Sequence, residues 1–261
     1  MIRIACDVHT HTLFSRHAYS TVEEDVRAAA AQNLELLGIT DHFSCMLFNE
    51  QTLKNFQFFI NTTVWPREWM GVRLLHGCEA DIVDTEGHLF GWDIPVHENI
   101  TEEPRRESTL KEKCFDSCDY VIASIHRSDF CDEATRAQNT QMYINVLQDP
   151  KVLILGHVGR SGVDFELDPV LEAARDLGKL IEINETSISK PSNIRKSLRH
   201  CEDVARRCAE LGCMVSFGSD AHIAPSIGVY PKTKELLESI DFPAELVACS
   251  SAQKFLSLLS R

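Results

Sequence analysis

Residues 1–12 read MIRIACDVHTHT, an apolar start followed by one aspartate and two histidines within six positions. Side chains alternate between the faces of a strand, so an extended segment aims His9 and His11 the same way, with Asp7 on that face too. Whether other strands end in metal-competent groups as this one does decides the fold and the chemistry together.

Short, nearly continuous apolar runs recur at Arg3–Val8, Leu36–Thr40, Val72–Ala80, Tyr120–Ser124, Val152–Leu155, Lys179–Asn184 and Cys213–Phe217. They have the length and character of strands covered on both faces. Helical patterns occupy Thr21–Asn33, Asp132–Gln148, Pro169–Leu177 and His200–Leu211, with Leu256–Arg261 as a last helix. Thr21 followed by Glu24 fits a capping box, and Gly178 and Gly212 stand where helices should end. Strands alternating with helices this often predict an α/β fold with a parallel sheet, either doubly wound or closed as a barrel. No internal repeat, low-complexity tract or linker divides the sequence, so residues 1–261 are expected to form a single domain. The least regular stretch is Asp84–Lys113, where Glu86–Gly87 predicts a turn between short strands and the charged remainder predicts an insertion or lid, residues 84–113.

Composition narrows the function. A hydrophobic content of 44% with 25% charged residues describes a globular protein. The net charge of −13 argues against broad binding of nucleic-acid backbone or an anionic membrane. No apolar run is long enough to span a bilayer and no secretory signal opens the chain, so a cytoplasmic protein is expected. The ten cysteines include no CxxC pair, which argues against a zinc ribbon or a thioredoxin-like motif and predicts reduced, partly buried thiols. Cys6 and Cys78 alternate away from the candidate ligands and read as core.

The C-terminal ends of the strands carry the chemistry. His9 and His11 end the first, with His17 in the following loop. The second ends in GITDH (Asp41, His42), the third in HGCEAD (Glu79), the fourth in ASIH (His126), the fifth in LILGH (His157) and the seventh in FGSDAH (Asp220, His222). In a parallel barrel those ends meet on one face, where active sites are built. Of the eleven histidines, only His76, His88, His97 and His200 fall elsewhere. Imidazoles mixed with carboxylates suit zinc, manganese or iron better than calcium or magnesium. A catalytic zinc takes about three protein ligands, so nine donors imply two or three ions.

In this order, DVHTHT, GITDH, GCEAD, SIH, LGHVGR and FGSDAH resemble the PHP (polymerase and histidinol phosphatase) family. HAYST, INTTVWPR, ATRAQNTQ and EINETS look closest to its bacterial YcdX-like phosphatases, and the likeness spans nearly the whole chain. It implies a distorted seven-stranded (β/α)7, TIM-like barrel with a trinuclear site, usually of zinc. Carried over by position, His9, His11, Glu79 and Asp220 would hold one ion, and Glu79, His126 and His157 a second, with Glu79 bridging. His17, His42 and His222 would hold a third. The chain departs from those relatives in the Asp84–Lys113 region near the mouth, so the substrate does not carry over.

Three divalent ions against two carboxylates and seven neutral imidazoles leave a formal surplus of about four positive charges, suited to a phosphate monoester dianion. Metals also bring the pKa of a bound water towards about 7, which supplies a nucleophile for in-line attack on phosphorus. Asp220 is a ligand that could also handle a proton. Asp7 and Asp41 are placed to accept from ligand imidazole N–H groups. Arg160, Arg127 and Arg16 each neighbour a ligand and could meet phosphate bidentately, whereas Trp65, Trp69 and Trp92 read as packing residues. The expected function is hydrolysis of a small phosphomonoester, histidinol phosphate being one candidate. The competing readings are a phosphodiesterase or 3′-exonuclease, and a metal-stabilised module without catalysis.

Overall fold

A computed structural model of the chain describes residues 2–189 and 194–259. Seven parallel strands pair in chain order: β1 (Cys6–Thr10), β2 (Leu36–Ile39), β3 (Val72–Asp81), β4 (Tyr120–Ser124), β5 (Val152–Leu155), β6 (Leu180–Asn184) and β7 (Val215–Gly218). Sequential order with helical crossovers curls the sheet into a nearly closed barrel, as the alternation of apolar runs predicts. At the C-terminal end the ring is joined by backbone bonds, Asp220 N–H to the His9 carbonyl and His11 N–H to the Ala221 carbonyl, both 2.9 Å. At the other end residues 247–249 fill the gap, with Ala5 N–H donating to the Cys249 carbonyl at 2.8 Å and a bridge between Val215 and Val247. The first strand lies later than the expected Arg3–Val8, at Cys6–Thr10, with Ala5 just before it bonded to both sides, its carbonyl accepting the Glu35 N–H at 2.7 Å.

Glycines set how closely the strands approach. A Cβ on Gly218 would lie 2.4 Å from the His9 Cβ, so only glycine lets β7 come this near β1. One on Gly38 would lie 1.9 Å from the Tyr120 hydroxyl, whose ring fills the lower barrel.

The helices are α1 (Val22–Ala31), α2 (Leu110–Asp116), α3 (Arg136–Leu147), α4 (Leu167–Asp176), α5 (Glu185–Ser189), α6 (Ile194–Leu211), α7 (Pro231–Ser239) and α8 (Ala252–Leu259). Thr21 and Glu24 form the expected capping box on α1, and Gly178 and Gly212 follow α4 and α6 in left-handed conformation. Of the expected last helix, Ser260 and Arg261 lie outside the described residues. Unanticipated were α2, begun by the capping box of Thr109 and Glu112, and α7, whose first N–H groups at Lys232 and Thr233 donate to the buried Glu185 carboxylate. Helix α1 packs Val26 and Ala29 against Leu37, Ile39, Val72 and Leu74 on the outside of the sheet.

The 84–113 segment is more regular than its composition suggests. The Asp84 carboxylate accepts the Glu86 and His88 N–H groups, both at 3.0 Å. An antiparallel ribbon of Pro95–Glu98 and Pro104–Thr109 follows, and Leu89, Phe90, Val96 and Leu110 enter the main core. All ten cysteines are free thiols, nine of them buried. No helix among the described residues is long and apolar enough to cross a membrane.

Candidate metal centre

Parallel closure brings the strand ends to one mouth, and Glu79 sits at its middle. Five imidazole nitrogens crowd this one carboxylate: His42 Nδ1 and His157 Nε2 at 2.8 Å, His9 Nε2 at 3.3 Å, and His11 Nε2 and His126 Nε2 at 3.4 Å. Asp220 Oδ1 lies 3.2 Å from His11 Nε2 and 3.9 Å from His9 Nε2. On the outer side His222 and His17 meet Nε2 to Nε2 at 2.9 Å, and the His11 and His42 rings lie 4.4 and 5.7 Å from that of His222. All nine expected donors therefore converge. His17 is the most exposed of them, and donor atoms of His11, His42 and His222 lie within 4.8 Å of one another.

Bonds on the far side of each ring fix which nitrogen faces inward. His9 Nδ1–H donates to Glu182 Oε1 and His126 Nδ1–H to Asp81 Oδ1, both at 2.6 Å. His11 Nδ1–H reaches Ser15 Oγ at 3.1 Å, and His222 Nδ1–H reaches the Asp220 carbonyl at 2.9 Å. In all four the Nε2 lone pair is left pointing into the centre. Glu182 also accepts the His157 N–H at 2.8 Å, so one carboxylate orients two candidate ligands. Ser44 donates to the other oxygen of Asp81.

Glu182 and Asp81, which hold candidate ligands in place, are the site residues that the sequence reading missed, although both left a signal. Asp81 lies two positions from Glu79, hence on the same face of β3. Glu182 is a buried acid inside the apolar strand LIEIN, the one strand to which no ligand was assigned. Asp7 and Asp41 take other parts. A bulge between Asp7 and Thr10 breaks the alternation of β1, and Asp7 instead accepts the N–H groups of Ser219 at 3.1 Å and Gly228 at 2.9 Å. Asp41 acts at one remove: it accepts from Ser15 Oγ at 2.7 Å, the hydroxyl that receives His11, and from Thr12 N–H at 2.7 Å.

The arginines separate cleanly. Arg160 follows β5 and brings Nη2 to 3.6 Å from Asp220 Oδ2, one-third exposed at the mouth. Arg127 is not brought in; its guanidinium lies at the surface, 3.3 Å from Asp129. Arg16 sits over the Phe48 ring, 4.9 Å from its centroid. Trp65 and Trp69 pack on the outer core, and Trp92 stacks on His88 at 3.8 Å.

The electrostatics are those of donors short of cations. Burial pulls the His9 imidazole down, yet Glu182, Glu79 and Asp220 together hold it well above its ordinary value. His126, opposed by burial but facing Glu79 and Asp81, is raised to about 9. Burial lowers His11, His17, His157 and His222. Burial would raise Glu79 and Asp220, but His9 and the other neighbouring imidazoles hold both well below the usual carboxylate range. Buried His9 Nε2, His11 Nε2, both ring nitrogens of His42, and Glu79 Oε2 have no hydrogen-bond partner among the described residues. Buried polar atoms without partners, most of them lone pairs aimed at one another, are costly unless a cation sits among them, so this donor set fits divalent metal ions. His157 and Asp220 also hold left-handed backbone (φ 31° and 53°), a strain that clusters at functional sites.

A parallel barrel with histidines and carboxylates massed at its C-terminal mouth defines a class of metal-site scaffold, and comparison with known proteins gives the family. Residues 7–188 match the PHP domain, and the chain belongs to that family. It is 34% identical over all 261 residues to a probable phosphatase of Acetivibrio thermocellus, covering 97% of that protein. It is 36% identical over 253 residues to one of Caldanaerobacter subterraneus subsp. tengcongensis, covering 97% of this chain and 90% of the relative. In fold it is similar to the crystal structure of histidinol phosphate phosphatase from Lactococcus lactis subsp. lactis, complexed with zinc, L-histidinol and phosphate. That TM-score is 0.54 at 19% identity, over 92% of this chain and 94% of the other.

Proposed function

We propose that the chain is a metal-dependent phosphatase acting on a small phosphomonoester at a centre of three divalent ions, with zinc the first candidate and manganese or iron the alternatives. The observation that carries this reading is the crowding of five imidazole nitrogens within 3.4 Å of Glu79. The names of the full-length relatives support a phosphatase, and the zinc and phosphate bound by the structural neighbour agree with the donor set. His9, His11, Glu79 and Asp220 would hold one ion, Glu79, His126 and His157 a second, and His17, His42 and His222 a third.

When bound, such ions supply positive charge for the phosphate oxygens and lower the pKa of a water to near neutrality. Glu182, Asp81 and Ser15 keep the imidazole lone pairs turned inward, so the donors need not reorganise. With Glu182 and Asp81 counted beside Glu79 and Asp220, six positive charges meet four carboxylates. The surplus is then about two, not the four expected from the sequence, and it matches a phosphate dianion. Arg160 offers planar N–H donors to a phosphate oxygen from beside Asp220. Asp220, an ionised carboxylate between His9, His11 and Arg160, is the group proposed to take the proton of the attacking water and pass it to the oxygen of the departing alcohol as the phosphorus–oxygen bond to that alcohol breaks. Partners beyond a small phosphorylated substrate are not proposed: the −13 charge disfavours nucleic acid.

The test is phosphate release from p-nitrophenyl phosphate and from its bis-ester, with chelator and with zinc, manganese or iron restored. Hydrolysis of the monoester alone, abolished by chelation and regained with metal, is expected. Preference for the bis-ester would move the chain to the phosphodiesterases, and inertness of the loaded protein towards both would end the catalytic reading.

A further inference from the structure

Arg16 stands immediately before His17, at the end of the turn Leu13–Ser15. Its backbone is left-handed, with φ 64° and ψ −27°. Glycine takes that region freely, whereas a side chain there costs about 1 kcal/mol or more. An arginine held at such a position is an outlier that asks for a reason.

Its surroundings supply one. The guanidinium lies 4.9 Å from the centroid of Phe48, a ring braced edge-on by Phe56 at 5.1 Å. With one face on a ring, its N–H edges stay free for a planar or tetrahedral anion. Arg16, Leu47, Phe48, Asn49, Glu50 and Asn55 line a cavity of about 310 Å³. Glu50 shares that wall without forming an ion pair to Arg16, so no salt bridge occupies the guanidinium. Both walls are chain leaving the metal centre: residues 12–17 run out from β1, and residues 44–50 from the short strand His42–Phe43, which pairs with β3. Where they diverge, the His17 and His42 rings are 4.9 Å apart.

We propose that this cavity is a substrate subsite in which Arg16 binds a second anionic group, a carboxylate or another phosphate, on the alcohol side of the ester. The inference rests on the phosphatase reading and narrows its substrate class to phosphorylated acids or bisphosphates. Arg160 and the ions would address the phosphate that is cleaved, and Arg16 the group that stays on the alcohol. A charge-assisted bond of this kind contributes about tenfold or more in apparent affinity.

Two matched pairs test it on the zinc-loaded protein: 3-phosphoglycerate against glycerol 3-phosphate, and fructose 1,6-bisphosphate against fructose 6-phosphate. In at least one pair the wild type should favour the member with the additional anion by about tenfold in kcat/KM, chiefly through KM. Arg16→Gly should erase that ratio without lowering Tm, since glycine suits the backbone. A wild-type ratio near one in both pairs, or a ratio that survives in Arg16→Gly, would overturn the subsite. A loaded wild type that fails to hydrolyse even p-nitrophenyl phosphate would instead overturn the phosphatase reading, and the substrate class with it.

Discussion

Tyr120 and Glu79 lie on neighbouring strands, β4 and β3, Tyr120 at the lower end of β4 and Glu79 paired with Ile122, two residues nearer the mouth. Below, the Tyr120 ring is fully buried, makes room for itself at Gly38, and donates its hydroxyl to the Val8 carbonyl at 2.6 Å. Tyr230 likewise donates to the Cys6 carbonyl at 3.3 Å. Above, Glu79 is just as buried, but five ring nitrogens surround it and one of its oxygens has no hydrogen-bond partner. The lower end is arranged for folding, with apolar filling and both tyrosine hydroxyls bonded to carbonyls of β1. The upper end keeps buried groups that weaken the apo fold, which is the pattern of a site selected for binding.

Substitution separates the two ends by readout. The largest effects belong to the mouth: His9→Ala or His157→Ala should reduce turnover to background while the protein stays folded by circular dichroism. Near-normal rates in both would dissolve the contrast. Next come the supporting acids. Glu182→Gln, which weakens the hold on both His9 and His157, and Asp81→Asn should each lose about 10–100-fold in metal affinity or kcat/KM; zinc titration against a competing chelator measures it.

Asp25, on the inner side of α1, occupies intermediate ground. It is fully buried, neither oxygen has a partner, and burial, aided by Asp41 and Asp7, raises it to about 8. The folded state therefore keeps its proton where the unfolded chain has lost it, and stability falls as pH rises from near 4 to about 8. Asp25→Asn should stabilise by about 2 kcal/mol above pH 8 and by little below pH 4, read from urea unfolding across that range. The smallest effect lies at the lower end: Tyr120→Phe should cost about 1 kcal/mol in unfolding experiments and leave zinc content and kcat unchanged.

Much of this architecture is legible in the sequence because it is periodic. Seven apolar runs give the sheet, the glycines ending α4 and α6 mark its crossovers, and the residues at the ends of six of the runs give the donors. The positions of Asp7, Glu182 and Asp81 are not legible in the same way. A one-residue bulge in β1 turns Asp7 from the mouth, and an acid within LIEIN acquires its role only when β6 is laid across from His9 and His157. The core contacts of the 84–113 segment are not legible either, because Leu89, Phe90 and Val96 are too sparse to give a period yet still reach the core. Local pattern reports which face a residue takes; which partner it meets there depends on closure of the barrel.

The most direct measurement is the metal content of the purified chain after equilibration with zinc and removal of the excess, alongside His9→Ala under the same treatment. The account predicts about three ions per wild-type chain and fewer in the variant. Fewer than one ion per chain, or the same content in both, would contradict it.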